Sequence, residues 1–97
     1  MNPPDATPVT VQHNAAARRY EAVVDGHLAM AEYQLDGDRM IFTHTFVPPE
    51  LRGRGIAEKL VRPALAAARA EGRCVVPACS YVAVFIARNP EFKDLLA

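Results

Sequence analysis

The chain has 97 residues, 51% of them hydrophobic and 23% charged, which corresponds to one globular domain with a single modest core and excludes a second lobe. Eleven Lys and Arg balance eleven Asp and Glu, so the molecule as a whole has no field that would draw it to nucleic acid or anionic lipid. Its longest apolar run, Val82 to Ala87, falls far short of the roughly 20 residues that cross a bilayer, so no membrane helix is expected.

Met1 to Pro8 carries three prolines and no apolar stretch, so residues 1–8 read as a loose head without a secretion signal and residues 9–97 as the domain. Cytoplasm is the default location. Val9-Thr10-Val11 alternates briefly before His13-Asn14 breaks it, which allows a short edge strand or a turn. Three strands follow, over Arg19 to Val24, Leu28 to Leu35 and Arg39 to Val47, each rich in β-branched, aromatic and aliphatic residues with period-two patches. Asp25-Gly26 and Asp36-Gly37-Asp38 separate them, and Asp-Gly pairs supply the positive φ of tight hairpins, so the strands form an antiparallel meander.

Pro48-Pro49 ends the third strand, because proline fixes φ and lacks an N–H. A loop over Glu50 to Gly55 leads into Ile56 to Glu71, where Ile56, Leu60, Val61, Ala64, Leu65 and Ala68 recur at the spacing of an amphipathic helix. Pro63 lies inside that helix, at a cost on the order of 3 kcal/mol unless the helix bends, so a kink near Lys59 is expected. Gly72 is a natural C-cap, Arg73 to Pro77 a short buried strand parallel to the third, Ser80 to Arg88 a helix, and Glu91 to Leu96 a last helical turn or two after Asn89-Pro90. The order β-β-β-α-β-α describes a mixed α/β fold with one parallel crossover.

Charge is unevenly placed: residues 52–73 hold six basic side chains against two acidic ones, leaving five against nine elsewhere. This basic segment coincides with the strand, glycine loop and helix. The first N–H groups of a helix are unpaired and its dipole adds partial positive charge, so such a junction accepts an anion, a phosphate above all. Gly53 and Gly55 let backbone approach a ligand and adopt φ values closed to other residues, while Arg52 and Arg54 add charge. Taken alone the loop also reads as a solvated turn.

The whole stretch from Phe42 to Leu60 resembles the acetyl-CoA motif of the GNAT N-acetyltransferase superfamily, Arg/Gln-x-x-Gly-x-Gly/Ala, which falls on Arg52, Gly53, Arg54, Gly55, Ile56 and Ala57. With Val75 to Val82 and Asn89-Pro90-Glu91-Phe92, the chain resembles the small one-domain members of that superfamily over nearly everything after His13. The resemblance implies a GNAT-type fold that holds the coenzyme A pyrophosphate on the N–H groups of Arg52 to Ala57. Pantetheine would run along the edge of the third strand to Val47, and acetyl would pass to an amine. It also implies an open acceptor side, since the tight hairpins leave no room for the helical pair that covers the acceptor in larger members; a protein or peptide amine fits that opening.

Individual residues carry open alternatives. Cys79, where the last strand meets the following helix, is a nucleophile candidate whose thiolate the helix N–H groups would favour, or a small packed residue; a cysteine here has been considered an acyl acceptor in the resembled family. Cys74 reads as an inert thiol, and the two cysteines, in neither CxxC nor zinc spacing, read as free with no metal. His44 is a candidate base for the amine or a hydrogen-bonded structural histidine; the neighbouring position that is often acidic in larger acetyltransferases is Phe46. Tyr81 and Asn89 flank the final helix, where the superfamily often hydrogen-bonds the departing thiol, so Tyr81 is either that acid or a packing tyrosine. A non-catalytic acyl-CoA-binding module is the alternative function, and a monomer or weak dimer the expected state.

Overall fold

The computed structural model describes residues 9–97, so the head over residues 1–8 lies outside the described part. Five strands form one sheet in sequence order: β1 (Gln12–Asn14), β2 (Arg19–Val24), β3 (His27–Asp36), β4 (Arg39–Phe46) and β5 (Cys74–Pro77). The meander is antiparallel from β1 to β4, and β5 joins β4 in parallel after the crossover helix α1 (Ile56–Ala70). Helix α2 (Ser80–Arg88) and a 3-10 segment (Pro90–Leu95) complete the expected α/β order.

The β2–β3 turn places Asp25 at φ 52° and Gly26 at φ 77°, the doubly left-handed pattern that matches hairpin twist. At its C-terminus α1 ends in a Schellman arrangement, with Arg73 N–H donating to Ala68 O (2.8 Å) and Gly72 N–H to Arg69 O (3.2 Å). The helix runs through Pro63 as one element, and the Lys59 carbonyl that Pro63 leaves without a helical partner belongs to its exposed side.

The first strand lies later than its alternation suggests. His13 and Asn14 do not break it but pair with Tyr20 and Arg19, while Val9 and Val11 pack partly buried on the core outside any strand. Side-chain contacts hold β1 there, among them a hydrogen bond between His13 Nε2 and the Tyr33 hydroxyl (2.6 Å). The His13 ring lies 4.2 Å from that of Tyr20 and parallel to within 5°, and Asn14 Oδ1 accepts the Ala17 N–H to start the turn. At the other end, Leu96 pairs in parallel with Val75 and Ala97 N–H donates to Val75 O (3.1 Å), covering part of the outer edge of β5.

Both helices pack on one face of the sheet. Tyr20, Ala22 and Val24 of β2, Ala29, Ala31 and Tyr33 of β3, Met40 and Phe42 of β4 and Val75 of β5 alternate onto that face and are buried beneath Leu60, Leu65, Val82 and Ile86. Arg62 joins the layer above, its guanidinium 5.3 Å from the Phe85 ring and 5.6 Å from the Phe92 ring, with Glu58, Glu91 and Asn89 Oδ1 as partners. Among the described residues no polar or charged side chain is fully buried, so chemistry is confined to clefts and surfaces. Nor is any described helix long and apolar enough to cross a membrane, and no described cluster of His, Cys, Asp and Glu could hold a metal.

Candidate active site

Strands β4 and β5 pair only from Arg39 with Cys74 to Phe42 with Pro77. There β5 turns away into α2, with Cys79 N–H donating to Phe42 O (2.8 Å), while β4 continues to Phe46. Beyond Phe42 the side of β4 that faced β5 therefore has no strand partner among the described residues. A cleft of about 390 Å³ opens beside it, walled by Thr45, Phe46 and Val47 on the strand, Arg52, Gly53 and Gly55 on the loop, and Ile56, Ala57 and Tyr81 on the two helices. Ligands of parallel α/β units sit where adjacent strands part in this way.

The loop is anchored from below. A 3-10 turn at Pro49–Leu51 buries Leu51 completely, and Ile56 is 2% exposed, so the chain between them arches over an apolar base. Gly53 at φ 83° and Gly55 at φ 71° take the left-handed conformation, and a Cβ built on either would meet nothing within 4 Å. Gly55 is also the N-cap of α1, whose first N–H groups no side chain caps. Those donors, the helix dipole and the bare glycine backbone fit a pyrophosphate in both charge and space.

The two loop arginines part company. Arg52 lines the cleft and spends one donor on Val47 O (3.2 Å), leaving the rest of its guanidinium available. Arg54 turns to the β2–β3 hairpin and pairs with Asp25 Oδ2 (2.8 Å), so it braces the loop and does not line the cleft. Arg69 is held by Asp94 and Arg73 by Gly37 O, which commits those outer-helix charges to the fold.

At the inner end, Cys79 Sγ approaches Thr45 Oγ1 at 3.5 Å. Burial pushes the Cys79 thiol up, but hydrogen bonds from Thr45 and from the backbone at Val82 and Tyr81 outweigh it, and the thiol titrates below its ordinary value. Cys79 is half-buried, lies behind the cleft lining against Thr45 and Tyr81, and like Cys74 is a free thiol. Tyr81 lies on the cleft wall. Burial, then the Glu58 charge, raises its phenol, with Arg62 opposing, so it stays protonated through neutral pH. Tyr81 also borders a second groove of about 270 Å³ that continues along α2 past Arg88 to Asn89. Asn89 itself donates to Phe85 O (2.8 Å) and receives Arg62, which ties down the end of α2.

His44 does not meet Cys79. A bulge between the Tyr33–Phe42 and Glu32–His44 pairs inserts Thr43 as an extra residue, so the phase of β4 changes. Thr45, opposite buried Ala31, keeps to the helix-covered face, whereas His44 and Phe46 are exposed on the uncovered one, their rings near-parallel at 6.4 Å. Of the candidate residues, then, the structure gathers Val47, Arg52, Gly53, Gly55, Ile56, Ala57 and Tyr81 around one cleft and sets Cys79 just behind it. It puts Arg54, His44 and Asn89 outside that lining. Thr45 and Leu51 were not legible as site residues: only the partner across the cleft identifies the first, and only the arch of the loop identifies the second.

A parting of parallel strands beside a glycine loop and an uncapped helix defines a GNAT-type α+β domain. The chain matches the GCN5-related N-acetyl-transferase profile over residues 19–95, and it belongs to that family. It is 32% identical over 91 residues to Protein NATD1 of Bos taurus, covering 91% of this chain and 80% of that one, and 32% identical over 86 residues to Protein NATD1 of Mus musculus, covering 86% and 78%. The solution structure of a GCN5-like protein from Staphylococcus aureus superposes with a TM-score of 0.75 at 20% identity, over 94% of this chain and 90% of that one, which supports the fold.

Proposed function

We propose that this chain is an acetyl-CoA-dependent N-acetyltransferase acting on an amine acceptor, a protein or peptide amine in particular. The reading is carried by the backbone at Arg52 to Ala57, where two left-handed glycines and an uncapped helix N-terminus open onto the unpartnered edge of β4. Arg52 and the N–H groups of that loop would hold the pyrophosphate, the β4 edge to Val47 the pantetheine, and the groove toward Asn89 would extend the contact along α2. When bound, the cofactor supplies an activated acetyl thioester.

His44 takes the proton that the acceptor ammonium sheds. The freed amine would form the nitrogen–carbon bond of the amide as the carbon–sulfur bond breaks; Tyr81 would give its proton to the departing sulfur and recover one from the nitrogen, which sheds its second proton as the amide forms. Transfer is direct in this scheme, because Cys79 lies behind the cleft lining and on the other face of the sheet from His44. The acyl-cysteine route remains testable by intact mass with Cys79→Ala as control. Free cysteines support a cytoplasmic setting, and the covered edge of β5 favours a monomer or weak dimer.

One observation favours a non-catalytic acyl-CoA-binding module instead: the cleft lining contains no Asp, Glu or His. Calorimetry with coenzyme A and turnover over a panel of amines and peptides separate the two. Binding with thiol release supports transfer, binding without release supports the module, and absence of binding removes both.

A further inference from the structure

The helix-covered face of the sheet extends past its cover. Helix α1 ends at Ala70, and Leu35, which follows Ala29, Ala31 and Tyr33 on that face, is left 37% exposed. A cavity of about 320 Å³ opens there, with the rings of Tyr20 and Tyr33 and the side chains of Leu35 and Met40 as its apolar walls. It lies at the start of β4, whereas the cleft beside the glycine loop lies at the end of that strand, so that Met40 and Thr45 set the two roughly 17 Å apart along the chain. The acetyl-transfer reading uses none of its residues.

Polar groups converge on this cavity. The Tyr33 hydroxyl is engaged by His13 Nε2, but the Tyr20 hydroxyl, on a side chain only 5% exposed, has no hydrogen-bond partner among the described residues. No described side-chain oxygen is both sealed and unpaired, so this one opens onto the cavity that Tyr20 lines. Burial, then Tyr33 and Glu71, raises the Tyr20 phenol; burial, then Glu71, raises that of Tyr33 against Arg18 and Arg73, so both hydroxyls keep their protons through neutral pH. Glu71 faces Arg73 across 3.7 Å, and Arg73 also donates to Gly37 O, which leaves Arg18 as the lining cation without an ion-pair partner among the described residues. Arg18 is also fixed. Its φ of 54° is a left-handed conformation rare outside glycine, held because its N–H donates to Ala15 O (3.1 Å) and its carbonyl accepts the Tyr33 N–H (3.0 Å). Strained residues pinned in this way cluster at ligand clamps.

A concave site with apolar walls and a few convergent polar groups has the form of a small-molecule site. Because Glu71 and Arg73 offset each other, the uncompensated charge of the lining is the positive one of Arg18, beside protonated phenols. The Ala68 and Arg69 carbonyls at the end of α1 are already occupied by the Arg73 and Gly72 N–H groups, so they call for no donor from a ligand. An unpaired guanidinium takes a carboxylate through two parallel N–H bonds. We infer that this cavity is a second ligand site, separate from the cleft, and that it takes a small carboxylic acid with an apolar body, whose carboxylate Arg18 receives beside the tyrosine hydroxyls while Leu35 and Met40 cover the body.

The test is titration of the full chain with benzoate, read by methyl NMR, and it does not depend on acetyl transfer. Met40 lines the cavity, and Met30, on the uncovered face of the sheet, is the internal control. Benzoate should shift the Met40 methyl saturably, with a Kd on the order of 1 mM, and leave Met30 in place. Benzamide, which keeps the ring and loses the charge, should bind about ten-fold more weakly, and benzylamine no better than benzamide. Arg18→Gln makes the same backbone demand without the cation and should lower benzoate affinity about ten-fold. Tyr20→Phe retains the ring and should lower it about three-fold, and it decides the matter should Arg18→Gln fail to fold. Unchanged benzoate affinity in a folded Arg18→Gln or in Tyr20→Phe, or equal binding of benzamide, would each overturn the inference. So would tighter binding of benzylamine, which would make Glu71 the group that reads the ligand, and so would a Met40 methyl that stays still or never saturates. Shifts confined to Met30 or to the amides of Gly53 and Gly55 would place the anion elsewhere and overturn it as well.

Discussion

The Sγ of Cys79 lies 3.5 Å from the Oγ1 of Thr45, joining the first turn of α2 to the free edge of β4. The contact forms only because Thr45 stays on the covered face after the bulge; the thiol donates to the Thr45 hydroxyl, which can donate back to the thiolate, and helix N–H groups complete the shell around the sulfur. Alkylation by iodoacetamide should therefore proceed faster at Cys79 than at Cys74 at pH values below the ordinary thiol range. Thr45→Val should move the Cys79 profile upward, since it removes a donor to the thiolate. The linked stability has a definite sign. A depressed thiol stabilises the fold at pH above the unfolded thiol value, and that contribution fades as pH falls through the folded value. Thr45→Val should thus lose stability on the alkaline side and little at pH 6, as read by urea unfolding at both pH values.

The left-handed Gly55 gives the second prediction. Its substitution to Ala or Glu carries the same backbone strain, about 1 to 2 kcal/mol at φ 71°, with no steric clash because the Cβ meets open space. Only the glutamate adds a negative charge to a bed of N–H donors. Coenzyme A affinity measured by calorimetry should fall modestly for Gly55→Ala and at least ten-fold further for Gly55→Glu; equal losses would place the anion elsewhere.

Hairpins, helix and cap were readable because each rests on local chemistry: Asp25-Gly26 at positive φ, the stripe from Ile56 to Ala68, and Gly72 in its Schellman turn. What escaped depends on partners far away in the chain. The Thr43 bulge exists only relative to β3, so no alternation along β4 alone tells whether His44 faces the cleft or the open side. The Arg54–Asp25 pair spans 29 positions and turns that guanidinium from the cleft lining to the hairpin, and the return of Leu96 to Val75 follows from where the last 3-10 segment ends. The candidate cleft was legible where it is backbone and glycine, and obscure where it is side-chain direction.

Leu51, fully buried under the arch of the loop, connects stability to binding. Leu51→Ala should cost about 2 to 4 kcal/mol, which for a domain of this size lowers the melting temperature by roughly 4 to 8 °C per kcal/mol. At a temperature where the variant remains folded, coenzyme A affinity should still be reduced, because the cavity lies directly beneath the glycines. An unchanged affinity would mean the loop holds its shape without that anchor.

Tyr81→Phe keeps the ring on the cleft wall and deletes the hydroxyl. Coenzyme A binding should stay within about two-fold of wild type, whereas kcat should drop on the order of ten- to a hundred-fold if the phenol protonates the leaving sulfur. Because burial raises the phenol, the wild-type rate should not decline until pH exceeds the usual tyrosine value near 10. A decline near neutrality that persists in Tyr81→Phe would assign the acid to another group.

Deleting Thr43 tests the bulge directly. The residue is the extra one in β4, so its removal leaves Phe42 facing the covered side, His44 the open side and Thr45 the covered side, and the pairs with Tyr33, Glu32 and Ala31 are all preserved. Only the bend and added twist of the strand are lost, together with the bond from Thr43 Oγ1 to Glu32 O. The deletion should therefore fold with a cooperative thermal transition, in contrast to deletion of Thr45, which would turn Phe46 toward the covered side and lose most of its structure. Straightening β4 should nevertheless misplace its cleft-side edge by about an ångström, enough to reduce kcat/KM roughly a hundred-fold in an acetyl-transfer assay. Full activity in the Thr43 deletion would show that the parting of β4 from β5, without the bulge, suffices to shape the site.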